Sequence, residues 1–402
     1  MYKKLDQKKV FRDPVYGYIN VRYQLISDLI DSKAFQRLRR ITHLSGVKMV
    51  FHGAEHSRFN HSLGVYHLAM KLLDENDTLN QYFDEHEKMI LMISALMHDI
   101  GHGPYSHAFE RVFKLAHETY GANIILNDPE ISSLLDNANK GLKESVSSVL
   151  LKTGKHPEIE QLVSSQIDID RLDYLTRDAY YTGANYGRLD LDRIIRMMAV
   201  KDKNIVYKEG AIHAIENYLV SRYHMYWQVY YHPVARSYEI MLEKIFLRIY
   251  DLIEQNKLND EYTTLIKKVI ESNVTLDAYL ELDDFYVNAF IKKYAHHKDS
   301  ILSELCSSFL NRKLFDYLEF KENNLTQISE VVKRYKDNPY FIEEEVVSQK
   351  TYLIKDYDIK AEDILILTKQ QAVKPIDEVS PIIKGLVSSG IKTERKLYFK
   401  HE

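Results

Sequence analysis

The sequence predicts a mainly α-helical protein with a small α+β part toward its C-terminal end. Apolar residues recur at spacings of three and four along several long segments, as in helices with one buried face. Only 14 Gly and 8 Pro occur among 402 residues, so few positions interrupt such helices. Short alternations of apolar and polar residues, typical of strands, occur in the second half. No unit of 20 to 50 residues recurs along the chain, so the sequence does not predict a solenoid of repeats.

The individual elements follow from these patterns in chain order. Helical spacing predicts helices that include residues 62–73, 87–100 and 236–255. Alternation predicts strands within 203–210, 363–375 and 393–400. No Gly-rich or Ser-rich linker divides the chain, and we place a boundary near residue 300. Residues 1–300 then form the core with a helical extension, and residues 301–402 form the C-terminal α+β subdomain.

Composition narrows the functional classes. Hydrophobic residues make up 45% and charged residues 28%, as in soluble globular proteins. The single cysteine, Cys306, excludes a disulfide framework and a thiolate zinc cluster, so a metal would need His and carboxylate ligands. No segment is apolar for the ~18 residues that a membrane span requires, and no apolar run follows the N-terminal lysines. We therefore expect a cytoplasmic protein without a membrane partner.

Charge is unevenly distributed along the chain. The net charge is −4, but residues 1–60 carry twelve Lys or Arg against five Asp or Glu. This local excess favours a polyanionic partner such as a phosphate-bearing molecule, and a solvated basic face is the alternative.

Ligand-type side chains follow a predicted buried helix in the stretch SALMHDIGHGPYSHAFE, residues 94–110. His98 and Asp99 lie where the helix must end, because Gly101, Gly103 and Pro104 follow. A buried carboxylate is costly unless it has a donor or a cation as partner. Asp99 therefore indicates either a salt bridge or a metal site.

Two further segments carry functional side chains at helical spacing. Arg58 and His61 share a face if a helix begins near Ser57. In SSQIDIDRLDYLTRDAYYTG, residues 164–183, one face carries two carboxylates, a cation and a phenol. These residues are Asp170, Arg171, Tyr174 and Asp178. An exposed ion-pair ladder is the alternative for this face alone.

Together these segments resemble the HD-domain metallohydrolases, whose signature is a His, a His-Asp doublet and a distant Asp that bind one metal. His61, His98, Asp99 and Asp170 match this signature in order. The resemblance extends to the deoxynucleoside triphosphate triphosphohydrolase branch in six blocks of the first 235 residues. These blocks are FRDPVYGYI, DSKAFQRLRRITHLSG, FHGAEHSRFNHSLGV, HDIGHGPYSHAFE, DIDRLDYLTRD and SRYHMYWQVYYHPV. Beyond about residue 240 the likeness is only general.

The resemblance implies an HD-domain helical core with one divalent metal. Two imidazoles and two carboxylates suit Fe, Mn, Ni, Co or Zn, and Mg that accompanies the nucleotide is a further candidate. Such a metal activates water and polarises a phosphoryl oxygen, which favours hydrolysis of a phosphoester or phosphoanhydride.

Acid–base and substrate residues are predicted around the metal. His107 with Glu110 forms a proton donor with an orienting carboxylate, and the resemblance associates His107, Glu110 and His117 with catalysis and His102 with the triphosphate. The predicted phosphate-binding and nucleoside-binding residues are Arg58, Arg171, Tyr174, Asp178, Arg222, Tyr230 and Tyr231. His43 occupies the position where these triphosphohydrolases place a glutamine against the sugar, so we expect a weaker preference for deoxyribose.

The expected reaction is hydrolysis of a deoxynucleoside triphosphate to the deoxynucleoside and tripolyphosphate. The alternatives are a phosphohydrolase for an alarmone or a nucleoside monophosphate, and a non-catalytic nucleotide or nucleic-acid binder, although nucleic acid is not the favoured partner. The resemblance also implies a homo-oligomer, a dimer or tetramer, with an activating guanine nucleotide between subunits. The matching positions are Lys9, Val10, Asp31, Gln36 and Arg39. A basic, solvated helix face is the alternative for this segment.

Overall fold

The computed structural model of the chain describes residues 2–271, 273–349, 363–390 and 392–401, and helices dominate it. Residues 350–362 of the predicted C-terminal subdomain lie outside the described residues. In chain order the α-helices are α1 (Gln24–Asp31), α2 (Lys33–Arg37), α3 (Arg58–Glu75), α4 (Asp77–Tyr82), α5 (Glu85–Met97), α6 (His107–Phe113), α7 (His117–Asn127), α8 (Pro129–Ala138), α9 (Leu142–Leu150), α10 (Pro157–Val163), α11 (Ile169–Thr182), α12 (Leu191–Met197), α13 (Ile212–Met225), α14 (Pro233–Glu254), α15 (Thr263–Ile270), α16 (Leu276–Leu280), α17 (Asp284–Tyr294), α18 (Ser300–Leu310), α19 (Leu325–Arg334), α20 (Ile376–Val379) and α21 (Pro381–Ser388).

In the described part of the chain, three small sheets accompany the helices. The strands are β1 (Lys4–Asp13), β2 (Gly17–Tyr23), β3 (Met198–Lys201), β4 (Asn204–Lys208), β5 (Asp316–Glu319), β6 (Ile342–Gln349), β7 (Leu365–Leu367), β8 (Val373–Pro375) and β9 (Lys392–Phe399). Strands β1 and β2 form a hairpin, the second sheet has the order β3-β4-β7-β8, and the third has the order β5-β9-β6. Within these sheets β4 and β7 are parallel, and the other pairs are antiparallel.

The predicted fold class, a helical core with a small α+β appendage, is confirmed. Predicted helices 62–73 and 236–255 lie within α3 and α14, and the three predicted strand segments contain β4, β7, β8 and most of β9. Helix α5 ends at Met97, three residues before the predicted end, because the chain turns at His98. The N-terminal hairpin was not predicted. Its turn is stabilised by the Asp13 side chain, which accepts hydrogen bonds from two backbone amides, and by Gly17 with φ 77°.

Among the described residues, two large hydrophobic clusters form most of the interior. The first extends from Ile19 to Ala235 and includes Ile364 and Ile366 of the β7 region. The second is centred on α14, α17 and α18 and includes Phe109 of α6. Residues after about 300 contribute side chains to both clusters. The predicted boundary near residue 300 stays a prediction. Among the described residues, no helix is both long and apolar enough to cross a lipid bilayer.

Candidate active site

The four predicted metal ligands come together from three helices. His61 lies in the first turn of α3, His98 caps α5 with Asp99 directly after it, and Asp170 lies in the first turn of α11. Nε2 of His61 is 3.1 Å from Nε2 of His98 and 3.0 Å from Oδ1 of Asp170. Carboxylate oxygens of Asp99 lie 3.7 Å from Nε2 of His61 and 3.4 Å from Nε2 of His98. Helix ends thus bring His61, His98 and Asp170 to one point, and Asp99 lies beside the two imidazoles.

Hydrogen bonds behind the two imidazoles determine which nitrogens face each other. Nδ1 of His61 is 2.8 Å from Oδ2 of Asp173, and Nδ1 of His98 is 2.9 Å from the carbonyl oxygen of Ala95. Both partners accept, so each Nδ1 donates and each neutral ring presents a lone pair at Nε2. Two such lone pairs beside carboxylates require a cation. Ligand atoms about 2.1 Å from a common ion lie roughly 3 Å apart, so the donor set fits a divalent metal.

The acidic surroundings favour positive charge at this point. Burial lowers the pKa of His61, but its hydrogen bonds to Asp170 and Asp173 outweigh burial and raise the pKa to about 10 in the metal-free protein. Burial raises the pKa of Asp170, but the bonds to His61 and His98 outweigh it and hold that pKa well below its usual range. A metal must displace the extra proton, so metal affinity falls as the pH falls.

Asp173 orients His61 and is not among the residues predicted from the sequence. The buried Arg177 guanidinium donates to both carboxylate oxygens of Asp173, at 2.9 and 3.0 Å, and to Asp13 at 2.8 Å. Gly64 lets α3 and α11 approach this closely, because a Cβ atom there would overlap the Asp173 carboxylate. The available signal was helical spacing, since Asp173 follows the predicted ligand of α11 by three residues.

The predicted acid–base residues form a second cluster around Glu110. Its carboxylate oxygens lie 2.7 Å from Nδ1 of His102, 3.3 Å from Nδ1 of His117 and 3.4 Å from Nδ1 of His107. Burial raises the pKa of Glu110, but these three interactions outweigh burial and hold the pKa far below its usual range. His102 is buried and stacks on His117, whereas the His107 side chain is 69% exposed. His107 is therefore the imidazole most open to a bound molecule.

His102 connects the two clusters. Its Nε2 atom is 3.2 Å from Oδ1 of Asp99, and its Nδ1 atom interacts with Glu110. Burial, followed by the positive charge of Arg58, lowers the pKa of His102 to about 4. The ring is thus neutral at pH 7, and its single N–H is directed to the Glu110 carboxylate, so His102 orients Glu110 and does not donate a proton to the substrate.

Two of the predicted phosphate-binding arginines already have carboxylate partners. Arg58 is buried, donates to Oγ of Ser106 at 2.8 Å and pairs with Asp99. Arg171 pairs with Asp168, and its Nε atom has no hydrogen-bond partner within the described part of the chain. Arg171 therefore keeps one buried donor for a ligand, while Arg58 primarily orients a metal ligand.

The third arginine, Arg222, lies behind an aromatic wall. It is buried, its guanidinium is 5.8 Å from the ring centre of Tyr226, and its Nε is unpaired in the described structure. Tyr226 begins a π-helical turn, Tyr226–Tyr230, a rare feature that often occurs at functional sites. This turn directs Tyr226 and Tyr230 into the cavity wall, whereas Arg222 does not line the cavity.

A polar group around Asp178 forms another part of the cavity wall. The hydroxyl of Tyr230 donates to Asp178 at 2.8 Å, and Nε2 of His56 lies 2.8 Å from the same carboxylate. His56 was not predicted, and no local pattern distinguished it. Nε2 of His43 lies 3.7 Å from Asp178, and its ring centre is 4.4 Å from that of His61. Burial, followed by the charge of His61, holds the pKa of His43 well below its usual range.

Most of the predicted site residues line one cavity of 590 Å³, a size typical of small-molecule sites. The predicted residues that line it are His43, Arg58, His61, Asp99, His102, His107, His117, Asp170, Arg171, Tyr174, Asp178, Tyr230 and Tyr231. Three charged lining residues were not predicted: Arg111, Arg236 and Glu239. Glu239 forms an ion pair with each of the two arginines, Arg111 and Arg236.

The five N-terminal residues that were predicted to bind an activator lie outside this cavity. Nζ of Lys9 is 2.5 Å from Oδ2 of Asp31, and Nε of Arg39 donates to Gln36 at 2.8 Å. Val10 is 47% exposed. The five thus present two polar pairs and an exposed apolar side chain on the surface formed by β1, α1, α2 and the turn that follows α2.

Comparison with known proteins agrees with this geometry. Residues 58–178 match the HD domain, and residues 189–395 match the HD associated region. The chain is 41% identical to the uncharacterized protein YwfO of Bacillus subtilis, over 98% of this chain and 93% of that protein. It is 27% identical to human deoxynucleoside triphosphate triphosphohydrolase SAMHD1, over 96% of this chain and 67% of that protein.

A solved structure shares the whole fold. The phosphohydrolase of Bacteroides thetaiotaomicron superposes with a TM-score of 0.84 at 28% identity, covering 98% of this chain and 100% of that one. The resemblance stated from the sequence is thereby confirmed. The chain belongs to the HD-domain phosphohydrolases that carry an HD associated region.

Proposed function

We propose that the protein hydrolyses a deoxynucleoside triphosphate to the deoxynucleoside and tripolyphosphate. The observation that carries this proposal is a single cavity that joins the His61–Asp170 metal-ligand set, the Glu110 cluster and the polar group around Asp178. A triphosphate could extend from the ligand set along Arg171 while the nucleoside lies against Asp178 and Tyr230. The names of the related human and Dictyostelium discoideum proteins, deoxynucleoside triphosphate triphosphohydrolases, support the same substrate class.

The chemistry requires water to attack the α-phosphorus and the 5′ oxygen to leave. His61, His98, Asp99 and Asp170 would hold a divalent metal, which would supply Lewis acidity and lower the pKa of coordinated water. The new P–O bond forms from water, which releases one proton to the solvent, as the P–O5′ bond breaks, and the departing 5′ oxyanion takes a proton. His107 supplies this proton from Nε2, since its Nδ1 is directed to Glu110. Arg171 and Tyr174 donate hydrogen bonds to the phosphate oxygens.

The product distinguishes the proposed reaction from the alternatives. Wild-type protein with Mn²⁺ and dGTP is expected to release tripolyphosphate and deoxyguanosine in equal amounts, measured by ion chromatography and reversed-phase chromatography. Pyrophosphate from an alarmone, or orthophosphate from a nucleoside monophosphate, without turnover of dGTP would favour the other phosphohydrolases. Nucleotide binding without any turnover would favour the non-catalytic binder.

His43 is expected to make sugar discrimination weak. Its neutral imidazole offers one donor and one acceptor, but its reach differs from that of a glutamine amide. The ratio of kcat/KM for dGTP to that for GTP should stay below about tenfold in the wild type and rise in His43→Gln, because a well-placed amide discriminates a hydroxyl more strongly. Steady-state kinetics with both nucleotides measure this ratio. A strict deoxyribose preference in the wild type would show that His43 does not contact the sugar.

We further propose that a guanine nucleotide promotes assembly through the N-terminal surface. Asp31 can accept from a guanine edge, while Lys9 and Arg39 can meet phosphates. A nucleotide that binds only the oligomer stabilises it by linkage. Added GTP should therefore raise both the molar mass measured by light scattering and the turnover of dATP. Arg39→Ala should abolish both effects, whereas Arg40→Ala, which removes the neighbouring cation paired with Asp283, should keep them. Unchanged mass and rate with GTP would contradict the proposal.

A further inference from the structure

The loop between α5 and α6, which leads from the metal ligands to the Glu110 cluster, has an unfavourable backbone. Tyr105 and Ser106 have φ values of 52° and 49°, in the left-handed region that residues with a Cβ atom seldom adopt. Ser106 then caps α6, which carries His107 and Glu110. Such a conformation persists only where surrounding contacts hold it.

Three of those contacts come from residues 279–288, far along the chain and outside the HD domain match. The hydroxyl of Tyr279 donates to the carbonyl oxygen of Gly101 at 2.7 Å, and the hydroxyl of Tyr105 donates to Asn288 at 2.8 Å. The Tyr105 amide donates to Oδ1 of Asp284 at 2.7 Å. The start of α17 thus holds the loop at both its backbone and its side chain.

The other oxygen of Asp284 holds a second strip of the cavity wall. Oδ2 accepts from the Thr42 amide at 2.8 Å. Thr42 precedes His43, whose amide donates to the carbonyl oxygen of His56 at 3.0 Å and so joins the strip to the segment that begins α3. Asp284 is 4% exposed, so this carboxylate spans the two strips without competition from bulk water.

Capping of α17 does not explain Asp284. The N-cap of this helix is Asp283, whose side chain accepts from the Tyr286 amide at 3.0 Å and pairs with Arg40. Asp284 is the next residue, and its two oxygens are both directed to the active-site strips. Two adjacent carboxylates therefore have separate tasks.

We infer that Asp284 is a positioning residue: it fixes the His43 strip relative to the loop that presents His107 and Glu110, and so ties turnover to the HD associated region. This inference rests on the proposed function. A shift of about 1 Å between reacting groups can cost about a hundredfold in rate, so loss of one of the two bonds should lower kcat. The KM for dGTP should change less than kcat, because Arg171, Tyr174 and Asp178, which make most of the proposed substrate contacts, lie on α11 and on neither strip.

Asp284→Asn tests the inference because an amide can accept from only one of the two backbone N–H groups. We expect kcat for dGTP to fall at least about tenfold with KM within about threefold of wild type. In hydrogen–deuterium exchange, uptake should rise in peptides that cover residues 41–46 and 101–107. Asp277→Asn is the matched control: it makes the same change at an exposed carboxylate in the first turn of α16, and it should leave uptake in both peptides and kcat unchanged.

The exchange measurement separates this inference from the proposed function, since it needs no substrate. Unchanged uptake in both peptides of Asp284→Asn would overturn the inference, as would an equal loss of kcat in both variants. If Asp284→Asn does not fold, Asn288→Ala removes the Tyr105 hydroxyl partner alone. That variant should raise uptake in 101–107 and lower kcat, and wild-type values for both would overturn the inference. Absence of any nucleotide hydrolysis by the wild type would contradict only the proposed function.

Discussion

Asp170→Ala is expected to lower the metal content from about one equivalent per chain to less than about a tenth, and to lower turnover by about a thousandfold or more. Asp170 supplies the carboxylate oxygen 3.0 Å from Nε2 of His61, and His98 lies 3.6 Å from the same oxygen. Without it, two imidazole lone pairs and one carboxylate remain. Elemental analysis of the purified protein and steady-state kinetics measure the two effects.

Asp170 is a better choice than Asp99 for this experiment. Asp99 also pairs with the buried Arg58, so its removal would leave a buried cation without its partner. An uncompensated buried charge costs about 3–5 kcal/mol, and lost activity could then follow from unfolding. The Asp170 side chain is 27% exposed and pairs with imidazoles rather than with a fixed cation, so its loss leaves no unpaired permanent charge.

Asp192→Ala is the matched control for Asp170→Ala. Asp192 also lies in the first turn of a helix, α12, where it pairs with Lys71 on the surface. Its removal takes the same charge from a helix N-terminus without touching the cavity. The control should keep metal and activity. Equal metal content in wild type, Asp170→Ala and Asp192→Ala would show that the metal binds elsewhere.

The helical core could be predicted because its signals are local. Apolar spacing within α3, α5 and α14 is visible inside a single segment, and so is the spacing that places Asp170 and Asp178 on one helix. The order of His61, His98, Asp99 and Asp170 added the resemblance. Only that order indicated that the segments lie together in space. No local pattern shows that the C-terminal end of α5 meets the N-terminal end of α11.

The supporting groups could not be predicted because their contacts join distant parts of the chain. Arg177 pairs with Asp13, 164 residues away, and Asp284 bonds the Thr42 amide across 242 residues. A bond to a backbone amide or carbonyl does not depend on the residue type of that partner, so the sequence does not reveal it. Nothing in the sequence therefore distinguished Asp284 from any other carboxylate at the start of a helix. The exact end of α5 depended likewise on a turn whose residues are held by α16 and α17.

His107→Ala is expected to lower turnover of dGTP by about a hundredfold or more while metal content and nucleotide binding stay close to wild type. His107 is exposed, is not among the four ligands, and reaches Glu110 only through Nδ1 at 3.4 Å. Loss of the ring therefore removes a proton donor without disturbing the buried pair of Glu110 and His102, which are 2.7 Å apart. Single-turnover kinetics, elemental analysis and equilibrium binding measure the three quantities.

His213→Ala is the matched control, because it repeats the same arrangement away from the cavity. His213 lies near the start of α13, is 96% exposed and pairs with Glu216 three residues later at 2.9 Å. If an exposed His–Glu pair at a helix start contributed only to folding, both variants would lose activity alike and only in proportion to lost protein. If His107 donates a proton, the rate should fall in His107→Ala alone. The loss of rate should also be smaller for substrates with a more acidic leaving alcohol, because the alkoxide of such an alcohol needs a proton less. A deficit of the same size for all leaving groups, with bound metal retained, would remove His107 from proton transfer and leave His117 as the remaining candidate beside Glu110.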